Sequence, residues 1–190
     1  MITRHTERLT LPPDRPLLLG VVADTHGKPH SNAAQVLRAE GTAQPLDAIL
    51  HGGDVGDLAV LDALAEVAPV IAVRGNIDGA GSTLPDLVEL CIDDEGATVL
   101  RVLLTHIAVY GPKLRAEVAR EAQRVDASIV VCGHSHVPFL GRDRGITMFN
   151  PGSIGPRRFK LPIMLGMMRI ARDGVSLWHI DCETGQRWRP

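Results

Sequence analysis

Aromatic residues are scarce in this chain: three Phe, two Trp and one Tyr make up 3% of its 190 residues. So thin a supply leaves Trp178 and Trp188 as packing residues rather than a base-stacking platform. Cysteine is also sparse. Cys91, Cys132 and Cys182 are odd in number and form no Cys-x-x-Cys pair, which argues against disulfide stapling and against a cysteine zinc site. Cys132, at the end of the apolar run 129–131, reads as a buried, inert thiol. No uncharged stretch reaches the roughly 18 residues of a membrane helix. The amino terminus, Met-Ile-Thr-Arg-His-Thr-Glu-Arg, carries charges where a signal peptide is apolar. The expectation is a cytoplasmic protein with no membrane partner. An excess of positive charge is missing too. The net charge of −2 supplies no basic field for sequence-independent nucleic-acid binding.

What remains is a chain that is 45% hydrophobic and 22% charged, long enough for one domain with a buried core. Residues 1–15, with Pro12, Pro13 and several charges, read as a loose extension ahead of a single domain over 16–190. The apolar run 17–23 predicts a strand, and 32–40 a helix with Ser31 available as its cap. Residues 46–51 predict a second strand, Asp57 caps a helix through Val67, and 69–73 predict a third strand. This β-α-β-α-β alternation argues for a largely parallel sheet covered by helices. Beyond Gly79 the pattern changes. A hairpin is predicted over 87–92 and 98–104, a helix over 113–125 with Leu114, Val118 and Ala122 on one face, and strands over 128–132, 145–149, 162–171 and 175–181. A second, mainly antiparallel sheet is expected in this later part. Self-association as a homodimer is an expectation from the small size and that apolar carboxyl-terminal sheet.

Eight histidines exceed the six aromatics, and their placement is informative. Five apolar runs each end in a short block of metal-ligand types: Asp24-Thr25-His26, His51-Gly52-Gly53-Asp54, Arg74-Gly75-Asn76-Ile77-Asp78, Thr105-His106 and Gly133-His134-Ser135-His136. Taken singly, an Asp after a strand is a common cap or turn residue, and a lone His a common core residue. Gly-His-x-His is more specific, because alternate residues of an extended segment face the same way. Five such loops beyond the carboxyl ends of strands share one crevice in an open α/β sheet, and a crevice of Asp, Asn and His side chains points to metal chemistry.

The order and wording of these blocks, closed by Asn150-Pro151-Gly152-Ser153 and Pro156-Arg157, resemble the calcineurin-like metallophosphoesterases, in particular their small single-domain prokaryotic phosphodiesterases. The resemblance runs from about Leu17 to Ile180. It implies a four-layer α/β/β/α sandwich of two stacked mixed sheets and a hydrolase acting on small phosphate esters. Asp24, His26 and His136 would hold one divalent ion, and Asn76, His106 and His134 a second, with Asp54 bridging them. Imidazole ligands suit transition ions, so Mn²⁺ is the first choice, with Fe, Co, Ni or Zn as alternatives. A metal-bound hydroxide would attack phosphorus in line. Asp78 and Asn76 are the candidate catalytic residues, Asp78 reading either as a residue fixing a ligand or as the cap of the turn at Gly79. His51 reads as a structural hydrogen-bonding residue. Arg157 reads either as solvated surface or as a guanidinium that orients substrate phosphate. Two departures from the resembled family follow. Ile77 stands where many relatives carry a proton-donating histidine, which favours diesters over ordinary monoesters, and Ala108 replaces the second histidine of a frequent His-Gly-His block. Two rival readings are a non-catalytic assembly scaffold with this fold and a nuclease. The scaffold sits poorly with a full set of seven ligands, and the nuclease with the net negative charge.

Overall fold

The computed structural model describes residues 2–79 and 81–188. In chain order it forms β1 (Arg4–Thr10), β2 (Leu17–Val22), α1 (Ala33–Glu40), β3 (Ala48–His51), α2 (Ala59–Ala65) and β4 (Val70–Ala72). Then come β5 (Leu87–Asp94), β6 (Ala97–Thr105), the short pair β7 (Val109–Tyr110) and β8 (Lys113–Leu114), and α3 (Ala116–Arg124). The chain closes with β9 (Ile129–Val131), β10 (Phe139–Asp143), β11 (Ile146–Asn150), β12 (Met164–Ala171) and β13 (Gly174–Asp181). Two large mixed sheets result, one ordered β1-β5-β6-β9-β11-β10 and the other β13-β12-β2-β3-β4.

The apolar side chains divide into three clusters, and these define the layers. Between the sheets, Leu19, Val21 and Leu50 meet Leu90, Val102, Leu104, Val131 and Phe149. On the outer face of the β2 sheet, Val36, Leu37, Val60 and Leu64 from α1 and α2 cover Val22, Ile49 and Met167. On the outer face of the other sheet, Val118, Ala119 and Ala122 of α3 cover Leu103, Val130 and Met148. The expected four-layer α/β/β/α sandwich is therefore the fold. Strand β2 is buried at every position, as an unbroken apolar run must be when both sheet faces are covered.

Three expectations are corrected. Residues 4–10 are not a loose extension but β1, paired in parallel with β5 from Arg4 opposite Leu87 to Thr10 opposite Asp93. As an edge strand it keeps its charged side chains largely in water, as edge strands that avoid further pairing do. The last two strands do not build the second sheet. β12 pairs antiparallel with β2 and extends the first sheet, so its apolar residues 164–168 are buried inside the fold and cannot support the homodimer expectation. The helix expected from Lys113 starts at Ala116, because Lys113 and Leu114 pair with Tyr110 and Val109 around Gly111-Pro112. Ser31 gives α1 no capping bond, whereas Asp57 Oδ1 accepts from the Ala59 N–H at 3.0 Å. No helix among the described residues is long and apolar enough to cross a membrane.

Two buried imidazoles make stability pH-dependent. Burial pushes His51 down to about 4, and burial also lowers His179 against the opposing pull of the Asn150 carbonyl. The unfolded chain titrates them near pH 6.5. Their contribution is therefore complete above about pH 6.5 and falls away toward pH 4, by at most about 1.4 kcal/mol per pH unit for each imidazole. Urea unfolding of chelator-treated protein should give a lower midpoint at pH 5 than at pH 7, and His179→Phe should flatten that slope. A His179→Phe protein with the same slope as wild type would refute the assignment for His179.

Candidate metal centre

The parallel strands β2, β3 and β4 of one sheet and β6 and β9 of the other all end at the same edge of the sandwich, and each hands its ligand block into the space there. Seven side chains form one continuous chain of contacts. Asp24 Oδ1 lies 3.4 Å from His136 Nε2, and His136 Nε2 lies 3.2 Å from His26 Nε2, with the two rings stacked. His26 Nε2 is 3.8 Å from Asp54 Oδ2, and His106 Nε2 is 3.2 Å from Asp54 Oδ1. Asn76 Oδ1 completes the series at 3.1 Å from His106 Nε2 and 3.0 Å from His134 Nδ1. Two triads have ligand atoms within 4.8 Å of one another: Asp24, His26 and His136, and Asp24, Asp54 and His106. Asp54 turns one oxygen toward each half of the cluster.

The backbone is adapted to this convergence. Asp24, His26, Asp54, His134 and His136 all have positive φ, between 49° and 71°. Left-handed conformations cost a residue with a β-carbon about 1–2 kcal/mol each, and such strain gathers where the surroundings force it, often at functional sites. The nearby glycine is equally constrained: a β-carbon on Gly75 would sit 2.0 Å from Asp54 Oδ1 and 2.2 Å from its backbone nitrogen.

A second tier of bonds holds these loops. His106 Nδ1 donates to the Gly52 carbonyl at 2.8 Å, which orients the ring with Nε2 facing Asp54 and Asn76; burial works to lower this imidazole, but its hydrogen bonds to Asp54 and Gly52 raise it. Both Asp24 oxygens accept the His134 N–H. His51 accepts the Gly53 N–H at Nδ1 and donates from Nε2 to Thr25 Oγ1, the structural part expected of it. Asn150 Nδ2 donates to the Gly133 carbonyl and Ser135 Oγ, and Ser153 Oγ donates to the Asp24 carbonyl. The Asn-Pro-Gly-Ser segment thus braces two ligand loops.

Two readings left open by the sequence are narrowed. Asp78 stands outside the contact chain; its carboxylate accepts the N–H groups of Gly75, Gly56 and Val55 at 2.7, 2.8 and 3.1 Å, so it ties the Asp54 and Asn76 loops together, in keeping with a residue that fixes its neighbours. Arg157 turns away to pair with Glu183 and to donate to the Leu161 carbonyl. Its neighbour Arg158 is the residue that reaches the cluster, with Nη2 3.2 Å from His26 Nε2. Sequence singled out the basic run, but adjacent residues point in different directions and nothing in their types tells which one faces inward.

The electrostatics suit cations. Burial pushes His136 down to about 4, with Arg158 adding to the effect, and burial likewise lowers His26 and His134. These imidazoles are neutral near pH 7 and present lone pairs, the form that binds metal. Burial works to raise Asp54, but the His106 hydrogen bond and the Ile77 N–H hold it at about 2. Burial lifts Asp24 up to about 7, with the nearby Asp54 charge adding to it and His106 opposing. Two buried carboxylates, Nε2 atoms of different histidines 3.2 Å apart, and a buried His136 Nδ1 without a hydrogen-bond partner make a donor set that divalent transition ions fit.

Comparison with known proteins agrees. A family model described as the calcineurin-like phosphoesterase superfamily domain matches residues 17–173. The chain is 33% identical over 141 residues to a probable metallophosphoesterase of Methanocaldococcus jannaschii, spanning 72% of this chain and 68% of that one. It is 30% identical over 162 residues to the phosphodiesterase YfcE of Escherichia coli K12, spanning 77% of this chain and 84% of YfcE. Among solved structures, vacuolar protein sorting 29 from Cryptosporidium parvum has the same fold, with a TM-score of 0.70 at 20% identity over 92% of this chain and 96% of that one.

Proposed function

The chain belongs to the calcineurin-like phosphoesterase superfamily, and we propose that it is a phosphodiesterase that uses two divalent transition-metal ions, Mn²⁺ first among them, to hydrolyse small phosphate diesters. The observation that supports this most is the single contact chain of Asp24, His26, Asp54, Asn76, His106, His134 and His136. Asp24, His26 and His136 would hold one ion and Asn76, His106 and His134 the other, with Asp54 reaching both. When bound, such a pair polarises phosphoryl oxygens and makes water a nucleophile near neutral pH.

The chain's own residues do the rest. Arg158 offers its guanidinium donors to phosphoryl oxygens beside His26. His106 is oriented by the Gly52 carbonyl, and Asp78 fixes the loops that carry Asp54 and Asn76. Ile77 has no proton to give, so nothing at that position assists a poor leaving group. The full ligand set favours an enzyme over an assembly scaffold, and the charge balance of the chain favours a small diester over nucleic acid.

Metal analysis of purified protein, together with hydrolysis of bis(p-nitrophenyl) phosphate and p-nitrophenyl phosphate with and without Mn²⁺, tests the reading. Two ions per chain and a faster metal-dependent cut of the diester are expected. Less than one ion at saturating Mn²⁺ with neither ester cut would leave the scaffold. The arginines separate in the same assay. A charge-assisted hydrogen bond is worth about 1.5–3 kcal/mol, and partial exposure reduces it, so Arg158→Ala should raise the diester KM about 10-fold. Arg157→Ala should leave it within about twofold, since a surface ion pair is worth little. The reverse ranking would return the substrate role to Arg157.

A further inference from the structure

Beside Asn76 and His106 opens a cavity of about 630 Å³, in the range that encloses drug-sized ligands. It lies between the amino end of β1 and helix α3, which the Arg4–Glu121 ion pair joins at 2.8 Å. Its apolar wall is aliphatic, built from Ile2, Leu87, Ile107 and Val118. Of the charged residues that line it, Arg74 pairs with Asp86, Glu117 with Arg115 and Glu121 with Arg4. Arg120 also lines it and makes no ion pair among the described residues. A methyl ester or a bare phosphate would leave this space filled with water.

We propose that the cavity receives the bulkier substituent of the diester, an organic group of nucleoside size with an aliphatic-contacting body and acceptor oxygens, which Ile2 and Arg120 select. This rests on the phosphodiesterase reading above. The aliphatic wall gains from removing apolar surface from water, while the uncommitted Arg120 guanidinium donates to carbonyl or hydroxyl oxygens of the substituent. Among the described residues no Phe, Tyr or Trp lines the cavity, so fit and aliphatic contact, rather than stacking on such a ring, set the preference. The strand β1 acquires a purpose in this arrangement: its pairing with β5 carries Ile2 to the rim of the site.

The test compares two diesters with the same leaving group, thymidine 5′-(p-nitrophenyl phosphate) and methyl p-nitrophenyl phosphate, on the Mn²⁺-loaded enzyme. Wild type should favour the thymidine diester in kcat/KM by on the order of 10- to 100-fold. The double variant Ile2→Asp, Arg120→Ala should lose most of that preference through KM and leave the methyl diester within about twofold. Both positions are exposed, so the fold is not at risk. Equal kcat/KM for the two diesters in wild type, or an equal change in both on mutation, overturns the proposal. If neither diester is cut, the phosphodiesterase reading fails by itself, and calorimetry decides the cavity: thymidine 5′-phosphate should bind at least about 10-fold tighter than methyl phosphate, with the difference lost in the double variant. Equal binding of the two monoesters would refute it.

Discussion

Asp54→Ala should strip the protein of both ions, whereas His26→Ala should remove only one. Asp54 Oδ1 faces His106 at 3.2 Å and Oδ2 faces His26 at 3.8 Å, so this carboxylate turns one oxygen toward each half of the cluster. It also accepts the Ile77 N–H, and its loss frees the segment that carries Asn76. Removing it takes one negative charge from two cation sites at once and leaves His106 without its anionic partner. Altering a residue that merely orients a ligand already costs about 10–100-fold in metal affinity or activity. Loss of a ligand shared by both sites should cost more, and diester hydrolysis should fall by on the order of 10³-fold or beyond. His26→Ala leaves the Asn76, His106 and His134 half standing and should retain one ion per chain. Metal content by elemental analysis after gel filtration, with circular dichroism to verify folding, reads the difference. Two ions retained by a folded Asp54→Ala protein would refute the shared role.

The convergence of the seven side chains is legible in the sequence for a physical reason. Each of its blocks follows an apolar strand directly, and chain order alone delivers such blocks to one edge of a sandwich. What the sequence could not convey was pairing and direction. Strand β1 carries no sequence signal, because an edge strand with seven residues, Arg-His-Thr-Glu-Arg-Leu-Thr, needs only one partner and shows almost no apolar alternation. Strand β10 is silent for a similar reason, since alternate residues are exposed and Gly141 interrupts it. The terminal hairpin was recognised as strands, yet its docking beside β2 is a long-range choice that no local pattern encodes. Loop side chains are the other blind spot. Asp78 and Arg157 have the right chemistry for a site, and the fold directs one to backbone N–H groups and the other to Glu183.

Ile77→His should turn the enzyme toward monoesters. Ile77 follows Asn76 and is 46% exposed, so an imidazole there meets solvent rather than a packed core. What the native residue contributes to the loop is its backbone N–H, which donates to Asp54 Oδ1 at 3.1 Å, and the substitution keeps that bond. A departing aryl oxide is a weak base and leaves without a proton; an alkoxide does not. The native side chain has no proton to offer, so alkyl monoesters should be cut slowly by wild type. A positioned general acid is worth about 10²–10⁴ in rate. With no side chain to orient an exposed imidazole there, the gain should fall at or below the lower end, so kcat for an alkyl monoester should rise about 10- to 100-fold in Ile77→His, with aryl diester hydrolysis changed by less. The added activity should also fall as pH rises through the range where imidazole loses its proton, near 6.5, because only the protonated ring can donate. Ile77→Gln, similar in size but without a titrating group, separates this from a change of shape: it should show neither the gain nor the pH dependence. A wild-type enzyme that already prefers alkyl monoesters over aryl diesters would overturn the argument, since a proton would then reach the leaving oxygen from somewhere other than position 77.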